Sequence, residues 1–115
     1  MRPATALLLV KLVHTLAWAF FAGCIVLLPI ATWLGHDRLA AACIGATLVE
    51  IAVLARNGWA CPLTALAARY TRDRRDNFDI FLPLWLARYN KQVFGTLFAA
   101  GLAYAALRWL AYVAA

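Results

Sequence analysis

Lys11, His14 and Glu50 are the residues of this 115-residue chain whose chemistry fits worst with their surroundings. Each lies in or against a long apolar stretch, where an ionisable side chain must find a partner, change its charge or serve a function. Lys11 and His14 are three positions apart and share a face of any helix that carries them. Glu50 lies about six residues from the end of the next apolar block. If the two blocks are antiparallel helices, all three side chains sit at similar depth, and a Lys11–Glu50 or His14–Glu50 contact would satisfy charges that lipid cannot. Two roles are open to such a network: a polar clasp that fixes helix register, or the floor of a working pocket.

Further candidates gather after the second block. Asn57, Cys61, Asp79, Tyr89, Asn90 and Gln92 would come to the same face as Lys11 and His14, and together they could bind a polar headgroup, a quinone ring or a proton. Cys61 precedes Pro62, a residue suited to the first turn of a helix. A thiol at a helix start, or beside a cation, is the kind whose pKa falls far enough for nucleophilic chemistry. A packing or capping role for Cys61 stays open beside the catalytic one.

Several chemistries find no support. Cys24 and Cys43 fall inside apolar runs, where a thiol behaves as a small hydrophobe. Three cysteines, an odd number, do not make a disulfide framework. With two histidines and no closely spaced cysteine pair, a zinc pattern is absent. His14 and His36 are separated by the length of one helix, roughly 30 Å, and cannot flank one haem iron within a single chain. No glycine-rich phosphate loop, paired catalytic carboxylates or serine triad is present. Cofactors therefore stay open.

The elements that must position these residues are helices in a membrane. Apolar residues make up 66% of the chain, far above the soluble norm, and they are clustered. Thr15 to Leu34 holds no charge, Leu39 to Ala55 only Glu50, and Val93 to Ala115 only Arg108. Each run is near the ~20 residues that cross a hydrocarbon core. The expected fold is an all-α integral membrane bundle, a single domain over residues 1–115, with spans near 5–34, 38–56 and 90–113. One or two interfacial or re-entrant helices fall within 57–89, and four spans are the alternative. The first run outlasts a signal-peptide core and is expected to stay as a helix.

Small residues at Ala40, Ala41, Ala42, Gly45 and Ala46 predict tight packing for the first half of the second helix. Gly35-His36-Asp37-Arg38 is a tight link, and Asn57-Gly58 a turn. Pro62 to about Tyr70 reads as a short amphipathic interfacial helix. Thr71 to Asn77 reads as a solvated loop whose charges need no further role. Phe78 to Tyr89 is too short to span and is expected to be interfacial or re-entrant, with Pro83 able to start a helix that runs into the last span.

The net charge of +6 follows the same plan. Arg2, Lys11 and the cations from Arg56 to Lys91 lie on one side of a three-span layout, against Arg38 and Arg108 on the other. Positive residues collect on the cytoplasmic side, so the N-terminus and the 57–89 segment are expected in the cytoplasm of a bacterial inner membrane, with the C-terminus outside. The expected partners are the lipid bilayer and a membrane protein or a second copy of the chain; basic charge here does not imply nucleic acid.

His14 with Phe20-Phe21-Ala22-Gly23, then Cys61-Pro62-Leu63-Thr64 and Phe78-Asp79-Ile80, resembles a family of uncharacterised small bacterial membrane proteins, a domain of unknown function. Its members share an early histidine in the first span and a Cys-Pro-Leu-Thr motif after the second. The resemblance implies weight on His14 and Cys61 and no reaction. Residues Ala65 to Ala68 lack a glutamate that the family pattern carries after the threonine, so no role for that acid transfers.

Two functions follow from the sequence. One is an accessory or assembly protein of the inner membrane, acting through helix packing and its basic segment. The other is a membrane enzyme, redox protein or lipid-binding protein using a His14, Glu50 and Cys61 pocket. A closed, fully paired cluster favours the first, and a cavity open beside Cys61 favours the second.

Overall fold

A computed structural model describes residues 2–114, with side chains through Val113. Among these residues helix is the sole regular secondary structure, in the order α1 (Pro3–Trp33), α2 (Asp37–Arg56), α3 (Pro62–Ala68) and α4 (Leu84–Ala114). Ala115, the end of the last apolar stretch, lies outside the described residues. α1, α2 and α4 are long and apolar enough to cross a membrane, which makes this an all-α membrane protein with three candidate spans.

The helix ends are set by local chemistry. α1 begins at a proline, whose missing N–H costs nothing in a first turn, and runs on through Pro29. It stops at Gly35, which takes a left-handed φ of 78°. The His36 N–H then donates to the Ala31 carbonyl and the Gly35 N–H to the Thr32 carbonyl, the paired bonds of a Schellman cap. α2 ends alike: Gly58 has φ 66°, and the Trp59 N–H donates to the Leu54 carbonyl at 2.7 Å. Trp59 is itself left-handed, at φ 64°, an uncommon conformation for a bulky residue.

α1 is the centre of the bundle. α2 and α4 each pack along it, α3 packs near its start, and α2 and α4 touch each other little. The core joins Ile25, Leu28 and Ala31 of α1 to Ala40 and Cys43 of α2 and to Phe98 and Ala105 of α4. Three of these are alanines with almost no exposed surface, the small-residue contact that lets membrane helices approach. The expected packing of the first half of α2 is narrower than its composition suggested. Ala40 and Cys43 are buried, whereas Ala41, Ala42 and Gly45 face outward, because one helix face alone can meet α1. The buried hydroxyls of Thr32 and Thr47 donate to the Leu28 and Cys43 carbonyls, so neither needs a partner on another helix. At the link between α1 and α2, Trp109 of α4 donates its indole N–H to the Asp37 carboxylate at 3.0 Å.

Phe78 to Tyr89 forms no helix of its own. Residues through Pro83 form turns, and Leu84 onward already belongs to α4, with the Ala87 N–H donating to the Pro83 carbonyl. α4 begins directly after Pro83, where the proline suggested a helix start, about six residues before the residue 90 at which the apolar run placed the span.

α4 meets α1 closely at Gly101, where an added Cβ would stand 3.0 Å from Leu28 Cδ2 and 3.7 Å from Pro29 Cδ. Gly101→Leu should therefore lower unfolding stability by about 1–3 kcal/mol, the usual effect of overfilling a packed contact. Gly45→Ala, where no atom lies within 4 Å, should not lower it. Reversible unfolding in mixed micelles separates the two.

Candidate functional site

Lys11, His14, Thr15 and Trp18 of α1 gather on one side of the helix, and that side holds the turn before α4. Lys11, Thr15 and Trp18 repeat at helical spacing, with His14 beside them. The Lys11 ammonium stands 4.5 Å over the Phe81 ring, a cation–π contact. The Phe81 N–H donates to the Thr15 hydroxyl at 2.9 Å, and that hydroxyl donates to the Lys11 carbonyl. His14 Nδ1 bonds the Asp79 carbonyl at 2.9 Å and lies 3.5 Å from the Asp79 carboxylate. The Trp18 indole donates to the Asn90 side chain at 2.8 Å. One helical face thus fixes residues 79–81 and the first turns of α4.

Asp79 is the buried hinge of this arrangement, with 5% of its surface exposed. Its carboxylate accepts a hydrogen bond from the Thr64 hydroxyl of α3 and faces the His14 ring, so α1, α3 and the turn meet on one side chain. Cys61, the residue before α3, lines the same cleft as His14 and Asp79, and the His14 side chain and the Leu63 N–H act on its thiol. With Nδ1 engaged by Asp79, Nε2 is the ring nitrogen left for the thiol. Burial pushes the Cys61 thiol up, and so does the Asp79 charge. The His14 hydrogen bond, the Leu63 N–H and the His14 charge outweigh them, and the thiol titrates below its ordinary range. A cysteine, a histidine and an aspartate in this order form a nucleophile, a base and a group that orients the base.

The thiol borders a cleft of about 550 Å³, lined among others by His14, Glu50, Thr64, Asp79 and Lys91. An apolar groove of about 240 Å³ adjoins it, with α1 as floor and α2 and α4 as walls. Trp18, Phe21, Glu50, Leu54, Asn90 and Lys91 line both.

Of the residues singled out from sequence, His14, Cys61 and Asp79 come together, and Glu50, Asn90 and Gln92 line the same cleft. The expected ion pair of Glu50 with Lys11 or His14 does not form. Lys11 is taken by Phe81, His14 is taken by Asp79, and Glu50 keeps no ion-pair partner among the described residues. Asn57 is exposed and bonds the Ala60 carbonyl within its own turn, while Tyr89 is half exposed and borders neither cavity. Thr64, Trp18 and Lys91 were not expected. Thr64 is the last residue of the Cys-Pro-Leu-Thr motif, and Trp18 continues the helical spacing of Lys11 and His14, so both left a signal.

The Thr71–Asn77 loop is knit to itself. Hydrogen bonds from the Arg75 side chain and backbone hold the Asp73 carboxyl down to about 2, Arg74 bonds the Thr71 and Asp73 carbonyls, and Arg88 pairs with Asp76 at 2.8 Å. Lys91 has no ion-pair partner among the described residues. No three His, Cys, Asp or Glu side chains there stand close enough to hold a metal ion. Comparison with protein families, curated proteins and solved structures returns no match.

Proposed function

We propose that this protein is a membrane-embedded enzyme whose nucleophile is the Cys61 thiol, with His14 as its base and Asp79 as the residue that orients the imidazole. The observation that carries this is the open cleft that Cys61, His14 and Asp79 line together, with the imidazole engaged by Asp79. A clasp or assembly role would call for a closed cluster with every charge paired. Here the cleft is open, and Glu50 and Lys91 line it without ion-pair partners among the described residues. The likeness of His14 and the Cys-Pro-Leu-Thr segment to the uncharacterised bacterial membrane family weights the same two residues. Thiol–disulfide exchange finds less support, since Cys24 and Cys43 pack in or against the bundle core and leave Cys61 without a resolving partner.

The charge distribution supports a bacterial inner-membrane setting, with the site and the N-terminus on the cytoplasmic side and the C-terminus outside. A single cysteine introduced at Arg74 or at Tyr112 should then be labelled by a membrane-impermeant reagent from opposite sides.

Alkylation tests the reading directly. In lipid nanodiscs, iodoacetamide should modify Cys61 faster than Cys24 or Cys43, followed by peptide mass. The rate should reach half its maximum at a pH below that of an ordinary thiol, about 8.5, because only the thiolate reacts. An ordinary midpoint, or no modification of Cys61, would remove the nucleophile and the reading with it.

A further inference from the structure

We infer that Cys61 takes an acyl group from a long, single-chain acyl ester or thioester that reaches it sideways from the bilayer, the hydrocarbon chain lying in the groove between α2 and α4. This rests on the nucleophile reading above and names its substrate. The argument begins with shape. α2 and α4 each pack on α1 and little on each other, so the space between them is a slot with a floor and two walls. Phe21 and Ile25 supply the floor, Ile51 and Phe98 the walls. An added Cβ on Gly95, which borders the slot, would meet nothing within 4 Å. The lining is overwhelmingly carbon, and in a membrane such a slot is open to chains rather than to water.

Size selects one chain. At about 1.5 Å per residue, the floor from His14 to Ile25 runs roughly 16 Å, suited to a long chain. The groove's 240 Å³ holds roughly eight groups of water size, enough for the half of one long chain nearest the thiol, with the rest lying in the bilayer, and too little for two chains side by side. Where the groove meets the cleft, its lining turns polar: Glu50, Asn90 and Lys91 border both. A ligand lying across that junction must be apolar at one end and polar at the other, and the polar end falls beside the thiol. Lys91, without an ion-pair partner among the described residues, offers positive charge to a carbonyl oxygen as it becomes negative.

The step balances with the groups present. His14 takes the Cys61 proton, and the sulfur adds to the acyl carbon. The tetrahedral adduct collapses by breaking the bond from carbon to the leaving oxygen or sulfur, which takes the proton from the imidazolium. The acyl group stays on Cys61 as a thioester, with no change in oxidation state. Water then adds hydroxyl to the acyl carbon and returns a proton to sulfur, releasing a carboxylic acid.

The test uses p-nitrophenyl palmitate and p-nitrophenyl acetate with the protein in nanodiscs. Palmitate ester should give a burst of p-nitrophenolate matching the protein present, and a palmitoyl mass on the Cys61 peptide that hydroxylamine removes; Cys61→Ala should give neither. Gly95→Phe, which fills open groove space, should slow acylation by palmitate roughly tenfold and leave acetate within about twofold. If wild-type Cys61 alkylates at a lowered pH midpoint yet forms no palmitoyl adduct, the substrate assignment falls and the nucleophile stands. The same holds if Gly95→Phe slows both esters equally or neither. If Cys61 neither alkylates nor acylates, both fall.

Discussion

His14→Ala should raise the pH at which Cys61 alkylates and slow the reaction at neutral pH. The imidazole is the main group that lowers this thiol, and without it burial and the Asp79 charge remain, both pushing the thiol up. The sign is fixed by what reacts. Each unit of rise leaves about tenfold less thiolate at neutral pH, while a more basic thiolate is more nucleophilic by roughly threefold per unit. The net loss is about threefold per unit, and the limiting rate at high pH should increase. The two profiles must therefore cross. Slower alkylation at every pH would indicate lost access, and an unchanged midpoint would mean that His14 does not control the thiol. His14→Gln, which retains a hydrogen-bonding group but cannot take up the proton, should lie between wild type and alanine.

Asp79→Ala should be the most destabilising substitution outside the helix core, by about 1.5–3 kcal/mol, the range for a hydrogen bond to a charged group. The side chain is buried and takes the Thr64 hydroxyl while facing His14, so its loss releases α3 from the turn before α4. Thr64→Val should lose about 1 kcal/mol, and the double variant should be little worse than Asp79→Ala alone, because both changes break the same bond. Asp79→Asn retains a hydrogen-bonding partner for Thr64 and should lose less than alanine. Unfolding in mixed micelles measures all four variants, and additive losses would show that Thr64 and Asp79 act separately.

The membrane class and the helix order were legible in the sequence because they depend on run length and on glycine and proline, which act locally. The left-handed stops at Gly35 and Gly58 and the helix start at Pro62 are of this kind. Partner choice was less legible. Glu50 was the natural partner for Lys11 by charge and depth, yet the ammonium settled on Phe81, because the turn before α4 folds back onto α1 and reaches it first. Nothing local to Phe78 to Pro83 announces that fold. It depends on Thr15, His14 and Trp18, more than sixty residues earlier. The start of α4 was legible from Pro83, whereas the span boundary near residue 90 followed the apolar run, which Arg88, Asn90 and Lys91 interrupt without interrupting the helix.

The length of α1 has a bearing on where the site can operate. Thirty-one residues make a helix of about 46 Å, against a hydrocarbon core of roughly 30 Å. If the tight link at Gly35 lies at the far surface, the excess emerges at the other end and carries His14 to the boundary between chains and headgroups. α1 then acts as a ruler, setting the thiol by its distance from the opposite face. A thicker bilayer draws that boundary past His14 and immerses the thiol among lipid tails, while a thinner one lifts it towards water. The acyl-chain length of the host membrane thereby becomes a variable of the chemistry.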